Sequence, residues 1–183
     1  MKNNRAQRRF DPDRRERILA SALDVIAEHG IAETSLRRVA AAADVPLGSM
    51  TYHFADREAF LCEAMSRFAD EMYSYLEKKM EICQTREDAI NAVISHMSGE
   101  EWATRRNLLL CYELYAFSGR GGDSGKILPR WLNKVRNELL RFFDKITADA
   151  LDALLEGYSI HRSVDDDPPT REDIEKIVKK LTD

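Results

Sequence analysis

The sequence predicts an all-α protein in two parts, a small amino-terminal head of short helices and a larger helical body. Three observations predict it. Apolar residues recur at three- and four-residue spacing along most of the 183-residue chain. The stretch TSLRRVAAAADVPLGSMTYHFADR, Thr34 to Arg57, contains two short helical patterns joined by a tight link. Beyond it, apolar stripes run longer than a small head needs.

The elements follow in order. The arm Lys2–Arg9 is basic, and reads either as a solvated tail or as a minor-groove arm. Thr34 can cap a helix whose inward positions are Leu36, Val39 and Ala40, while Ala41, Ala42 and Ala43 allow close approach. Asp44-Val45-Pro46 breaks that helix, because proline disfavours a helical residue before it and is tolerated in a first helical turn. The next helix, Leu47 to His53, has Met50 and Phe54 to pack inward and mostly small or polar groups elsewhere. Asp56 caps a long helix to about Met80, with a stripe through Phe60, Leu61, Ala64, Met65, Phe68, Met72, Tyr75 and Leu76. Thr85 opens a helix with Ala89, Ile90, Val93, Ile94 and Met97 inside, and Trp102 to Phe117 is apolar enough to be buried all round. The glycine-rich segment Ser118–Gly125 reads as a flexible loop. It lacks the lysine of a phosphate loop. Helices then span Ile127 to Ile146 and Thr147 to Val164, an acidic proline turn follows, and Thr170 with Asp173 forms a capping box for a last helix.

Two short helices across a tight turn make a helix-turn-helix, whose second helix reads the major groove of DNA. Ser49, Thr51 and Tyr52 are candidates for base-edge or phosphate contact, Leu47 for a thymine methyl, and Gly48 for close backbone approach. Thr34, Ser35, Arg37 and Arg57 are placed to hold phosphates, assisted by Tyr52 and His53; Thr34 as a simple cap and His53 as a packing residue are the blander readings. The chain carries a net charge of −4, yet residues 1–17 hold 7 basic against 3 acidic groups. The local field near a groove matters more than the total.

On these residues the chain resembles the TetR family of bacterial transcriptional regulators. The resemblance runs from about Arg14 to Leu61. It includes Glu28-His29-Gly30, Thr34 to Arg37, Ala40 to Val45, Gly48-Ser49-Met50-Thr51-Tyr52-His53-Phe54 and Asp56-Arg57-Glu58. At Thr51 many relatives carry an aromatic residue, commonly tyrosine. The resemblance implies a DNA-binding domain at 1–57 and an effector-binding and dimerisation domain at 58–183. It also implies a repressor released from its operator when an unidentified small-molecule effector occupies a pocket in the second domain. Met65, Met72, Met97, Trp102, Tyr112, Glu113, Phe117 and Trp131, with Tyr115, are the candidate wall residues, although such residues at helical spacing also read as plain core.

Leu151, Leu154, Leu155, Tyr158 and His161 form one stripe, and Ile174, Ile177, Val178 and Leu181 another. A hairpin with these faces can pair with its copy in a four-helix bundle, as the family's final helices do; packing inside one chain is the alternative. A dimer also suits the reading of double-stranded DNA, since one two-turn helix touches few base pairs. Cys62, Cys83 and Cys111 have no paired spacing, which points to reduced thiols, with redox sensing as the alternative. No metal-ligand spacing or cofactor motif occurs, and no recognisable nucleophile–base set supports an enzyme. No apolar run is long enough for a membrane and no secretion segment follows a basic start, so the expected location is the cytoplasm.

Overall fold

The computed structural model describes residues 13–183; the basic arm Lys2–Arg9 lies outside the described residues. Among the described residues there are nine α-helices and no strand: α1 Arg14–Glu33, α2 Leu36–Ala42, α3 Leu47–His53, α4 Arg57–Glu81, α5 Arg86–Ser98, α6 Arg105–Ser118, α7 Ile127–Leu139, α8 Lys145–Val164 and α9 Arg171–Thr182. A 3-10 turn, Ser124–Lys126, precedes α7. The chain divides into two compact units, residues 1–66 and 67–183. The all-α class is as the sequence predicts.

The first unit is built around α1, which buries Ile18, Leu19, Ala22, Leu23, Val25 and Ile26 along one face. Gly30 interrupts α1 with φ 77°, a left-handed backbone that suits glycine. The link between α2 and α3 is a second such reversal, made without glycine. Asp44 adopts φ 50°, and the Val45 amide donates to the Ala40 carbonyl at 3.0 Å, the closing bond of a left-handed helix cap. Met50 and Phe54 are buried, and the Phe54 ring meets Phe60 edge-on at 4.9 Å. Two turns of helix are too short to persist alone, so this anchoring holds α3.

In the second unit, α7 places Ile127, Trp131, Val135 and Leu139 four residues apart, all buried, in a ridge that packs on α8. Helix α9 packs on α5 and α8 through Ile174 and Val178. The caps at Thr85 and Thr170 are both complete capping boxes, with Asp88 and Asp173 as reciprocal partners.

Several expectations are corrected. Ser35, not Thr34, caps α2, accepting from the Arg38 amide at 3.2 Å. Helix α6 is not apolar-buried all round: Leu110, Leu114 and Phe117 face the core, whereas Leu109 and Tyr112 reach the surface. Trp102 lies before it. Helix α7 stops at Leu139, well short of Ile146, because Asp144 caps the next helix by accepting from the Ile146 and Thr147 amides at 2.9 and 3.0 Å. The Ser118–Gly125 segment folds back on itself. Ser118 donates to the Ser124 carbonyl at 2.8 Å, Ser124 donates to the Phe117 carbonyl at 2.9 Å, and both serines are buried.

Candidate functional site

Two places stand out chemically, one in each unit. In the first, α3 turns Met50 inward and leaves the rest of its surface uncovered. Tyr52 is 84% exposed and Leu47 44% exposed. Gly48 and Thr51 are exposed, and Ser49 and His53 are half-buried. A Cβ added at Gly48 would meet nothing within 4 Å, so no packing inside the protein demands glycine there. Arg37 and Ser35 are exposed at the start of α2. Thr34, by contrast, is 1% exposed, and its hydroxyl donates to the Gly30 carbonyl at 2.8 Å. The Arg57 guanidinium donates to three carbonyls at the end of α1: Thr34 at 2.9 Å, Ala32 at 3.3 Å and Ile31. It caps that end as a cation should.

In the second unit, Met72, Leu76, Trp102, Tyr112, Tyr115, Trp131, Val135 and Leu155 surround a cavity of about 40 Å³, with Tyr73, His96, Leu108, Cys111, Glu156, Ser159 and Ile160 completing its wall. Burial pushes the Glu156 carboxyl up to about 7, nearby Asp152 adds to the rise, and a hydrogen bond donated by the Tyr115 hydroxyl offsets it only in part. Burial, reinforced by Lys79, holds His96 down at about 4, so its ring is neutral at ordinary pH. The ring lies flat against Trp102 at 5.1 Å, while the Trp102 indole donates to the His96 carbonyl at 2.8 Å. Among the described residues, Trp131 Nε1 and His96 Nδ1 are buried without hydrogen-bond partners. Burial also lifts the Cys111 thiol to about 12, with Glu156 contributing, which suppresses thiolate chemistry.

Residues 18–64 match the family model of bacterial regulatory proteins of the tetR family. A member of the TetR family from Streptomyces coelicolor A3 is 32% identical; the alignment covers 94% of this chain and 99% of that one, with a TM-score of 0.83. The chain belongs to the TetR family. A second Streptomyces coelicolor A3(2) protein, described as a transcriptional regulator, is 39% identical over 93% of this chain and 99% of that one, with a TM-score of 0.86. The multidrug binding protein EbrR, in complex with ethidium, is 31% identical over 94% of this chain and 99% of that one, with a TM-score of 0.77. A search of curated proteins finds no match. The protein is therefore a DNA-binding transcriptional regulator of the TetR family, and regulators of this family are not enzymes.

Within this TetR-family chain the candidate DNA residues gather on one exposed stretch, from Ser35 and Arg37 through Leu47, Gly48, Ser49, Thr51, Tyr52 and His53. Thr34 is buried, and Arg57, itself exposed, spends its guanidinium on backbone carbonyls at the end of α1. Of the wall candidates, Met72, Trp102, Tyr112, Tyr115 and Trp131 line the cavity. Met65 belongs to the first unit, and Met97 and Phe117 are core residues outside the cavity lining. Glu113 is not in the wall either; the acid there is Glu156. Sequence reading missed Glu156 because its hydrogen-bond partner, Tyr115, and the rest of the cavity wall come from other helices. One signal was available: a carboxylate one turn after Asp152, between Leu155 and Tyr158 on an apolar stripe.

The dimer candidates divide in the same way. Leu151, Leu155, Tyr158, Ile174 and Val178 are buried within the chain, Leu154 is half-buried, and Ile177 is exposed. The least covered positions of α8 lie on the neighbouring stripe, where Ile146, Ala153, Ile160 and Val164 are exposed and Ala150 and Gly157 half-buried. Ile146 and Val164 are 82% and 71% exposed. Among the described residues no helix is long and apolar enough to cross a membrane.

Proposed function

We propose that this TetR-family regulator is a cytoplasmic homodimeric repressor, released from a palindromic operator when a small molecule occupies the cavity of the second unit. The observation that carries the DNA-reading half is the uncovered α3, whose most exposed large side chain is an aromatic with no core to serve. On this reading Tyr52, Thr51, Ser49 and Leu47 meet base edges, and Gly48 admits the DNA backbone. Ser35, Arg37 and His53 meet phosphates. Thr34 and Arg57 act indirectly, by fixing the end of α1 that presents Ser35. The functional division is drawn at residues 1–57 for DNA binding and 58–183 for effector binding and dimerisation.

Support for a dimer comes from the apolar α8 stripe, with Ile177 and Leu181 beside it on α9. Gly157 on that stripe leaves open space where a partner helix could approach closely. Support for an effector comes from the cavity and from the similarity to EbrR, a multidrug binding protein. A ligand shifts the DNA-binding equilibrium only through different affinity for the two shapes. Because α4 contributes Arg57 to the head and Met72, Tyr73 and Leu76 to the cavity wall, it is the element on which such a difference acts.

The test is selection from a random duplex library with purified protein, followed by sequencing. An inverted repeat with half-sites roughly one helical turn apart supports a dimeric reader. A single half-site defeats the dimer, and enrichment of no motif defeats the reading-helix assignment.

A further inference from the structure

Almost every strong hydrogen-bond donor around the cavity is already engaged. Tyr73 donates to Glu138 Oε1 at 3.0 Å, Tyr112 to the Ile160 carbonyl at 3.3 Å, Ser159 to the Leu155 carbonyl at 2.7 Å, and Tyr115 to Glu156. The Trp102 indole donates to the His96 carbonyl. Trp131 is the exception. It is 7% exposed, belongs to the buried ridge of α7 and lines the cavity, yet among the described residues its Nε1 has no hydrogen-bond partner. An indole N–H only donates, and a buried donor left unpaired opposes folding, which phenylalanine or leucine at the same place would not. His96 Nδ1, the other unpartnered atom of the wall, asks for less definite chemistry, because a neutral imidazole donates at one nitrogen and accepts at the other. Among the described residues no lysine or arginine lines the cavity, and Glu156 stands in its wall, so an anionic acceptor would find no countercharge there.

We propose that Trp131 determines the specificity of this cavity: its indole N–H donates to an uncharged carbonyl oxygen on an otherwise apolar effector. The inference rests on the reading of the cavity as the effector site. Shape alone would admit a hydrocarbon as readily, so the polar selection falls on this one bond. A cavity of about 40 Å³ has room for a few waters at most, and a ligand that displaces them without an acceptor strands the N–H again. A carbonyl oxygen takes the bond over. Affinity then follows the presence of the acceptor as well as the apolar area covered, as it does in any site built around a buried polar group.

The test uses isotope-labelled, DNA-free full-length protein and two matched pairs of aliphatic probes, cyclohexanone with methylenecyclohexane and camphor with methylenebornane. In each pair a methylene group replaces the oxygen at nearly constant shape, and no probe carries an aromatic ring to disturb the spectrum. The chain has two tryptophans, so the indole region of a proton–nitrogen correlation spectrum holds two signals, and Trp131→Phe identifies the one to follow. The ketones are expected to move the Trp131 indole proton downfield, and their methylene partners are not. The same titrations should show the ketones binding roughly fivefold tighter, the worth of one neutral hydrogen bond. In Trp131→Phe, checked for folding by thermal melting, that advantage should vanish. Equal binding within the pairs, an unmoved Trp131 signal, or an advantage that persists in the folded variant overturns the inference and leaves the effector reading standing. If the variant fails to fold, the parent protein decides alone, equal affinities within the pairs overturning the inference. Silence from all four probes also overturns it; the effector reading falls separately, only if no compound in a chemically diverse set releases the operator complex.

Discussion

Helix α3 and the cavity are opposite departures from the same rule. At α3 an aromatic and a leucine stand in water, and in the cavity a histidine stands out of it beside the half-buried carboxylate of Glu156. Most other large apolar side chains are inside, although Ile82, Ile146 and Val164 are exposed too, and of the other carboxylates Asp152 is buried. Stability explains neither exception; on the proposed function each serves a molecule that binds later. The difference is in cost. Tyr52 is nearly free to the fold, whereas Glu156 opposes it. On the proposed function the reading face can thus change with little penalty, whereas the cavity acid has to be carried by the surrounding core.

Substitutions can break or sharpen this contrast. The largest effect is expected from Met50→Ala, which removes the fully buried anchor of α3 and should destabilise the first unit by about 2–5 kcal/mol, read by thermal or urea unfolding. Tyr52→Ala should leave the melting temperature where it is and weaken specific duplex binding by about 1–3 kcal/mol, measured by anisotropy on the selected operator; an equal loss of stability would mean that Tyr52 is structural after all.

Glu156→Gln should stabilise the unliganded protein by on the order of 2 kcal/mol above pH 7. The sign follows from a folded value of about 7 against an ordinary 4.5: the native state holds the extra proton, so the stabilising contribution is present at low pH and fades as pH rises from about 4.5 to 7. His96 runs the other way, losing stability as pH falls from 6.5 towards 4. The difference between parent and variant therefore isolates Glu156, and curves that stay parallel through this window refute its raised value. Arg57→Ala should cost about 1–2 kcal/mol of head stability by stripping a donor from the end of α1, and its loss of duplex affinity should follow that loosening across all sequences. The smallest change is expected for Thr170→Ala, about 1 kcal/mol from the capping box of α9.

Local chemistry was legible and partnership was not. The limits of α3 are readable from Pro46 and the Met50–Phe54 spacing, and the boxes at Thr85 and Thr170 from residues three apart. Thr34 and Ser35 are adjacent hydroxyl residues, and only the backbone decides which one caps. The end of α7 was hidden because Leu140, Phe142 and Phe143 continue an apolar pattern through a turn. On α8 the most apolar positions, Leu151 and Leu155, read naturally as a dimer seam. The monomer core takes them, and the positions left outside are Ile146, Ala153, Ile160 and Val164. Hydrophobicity ranks residues for burial without saying against what. Glu156 lies beyond any such reading, since its meaning depends on rings contributed from distant segments.

The chain has two tryptophans, Trp102 and Trp131, and both line the cavity. Tryptophan emission, excited beyond the tyrosine band, is therefore a signal from that one place, silent about the DNA-reading head. A dye on the operator reports the other event at a separate wavelength. Mixed in a stopped-flow cell, the two colours give the order in which ligand arrives and DNA departs, and so whether release follows binding or precedes it.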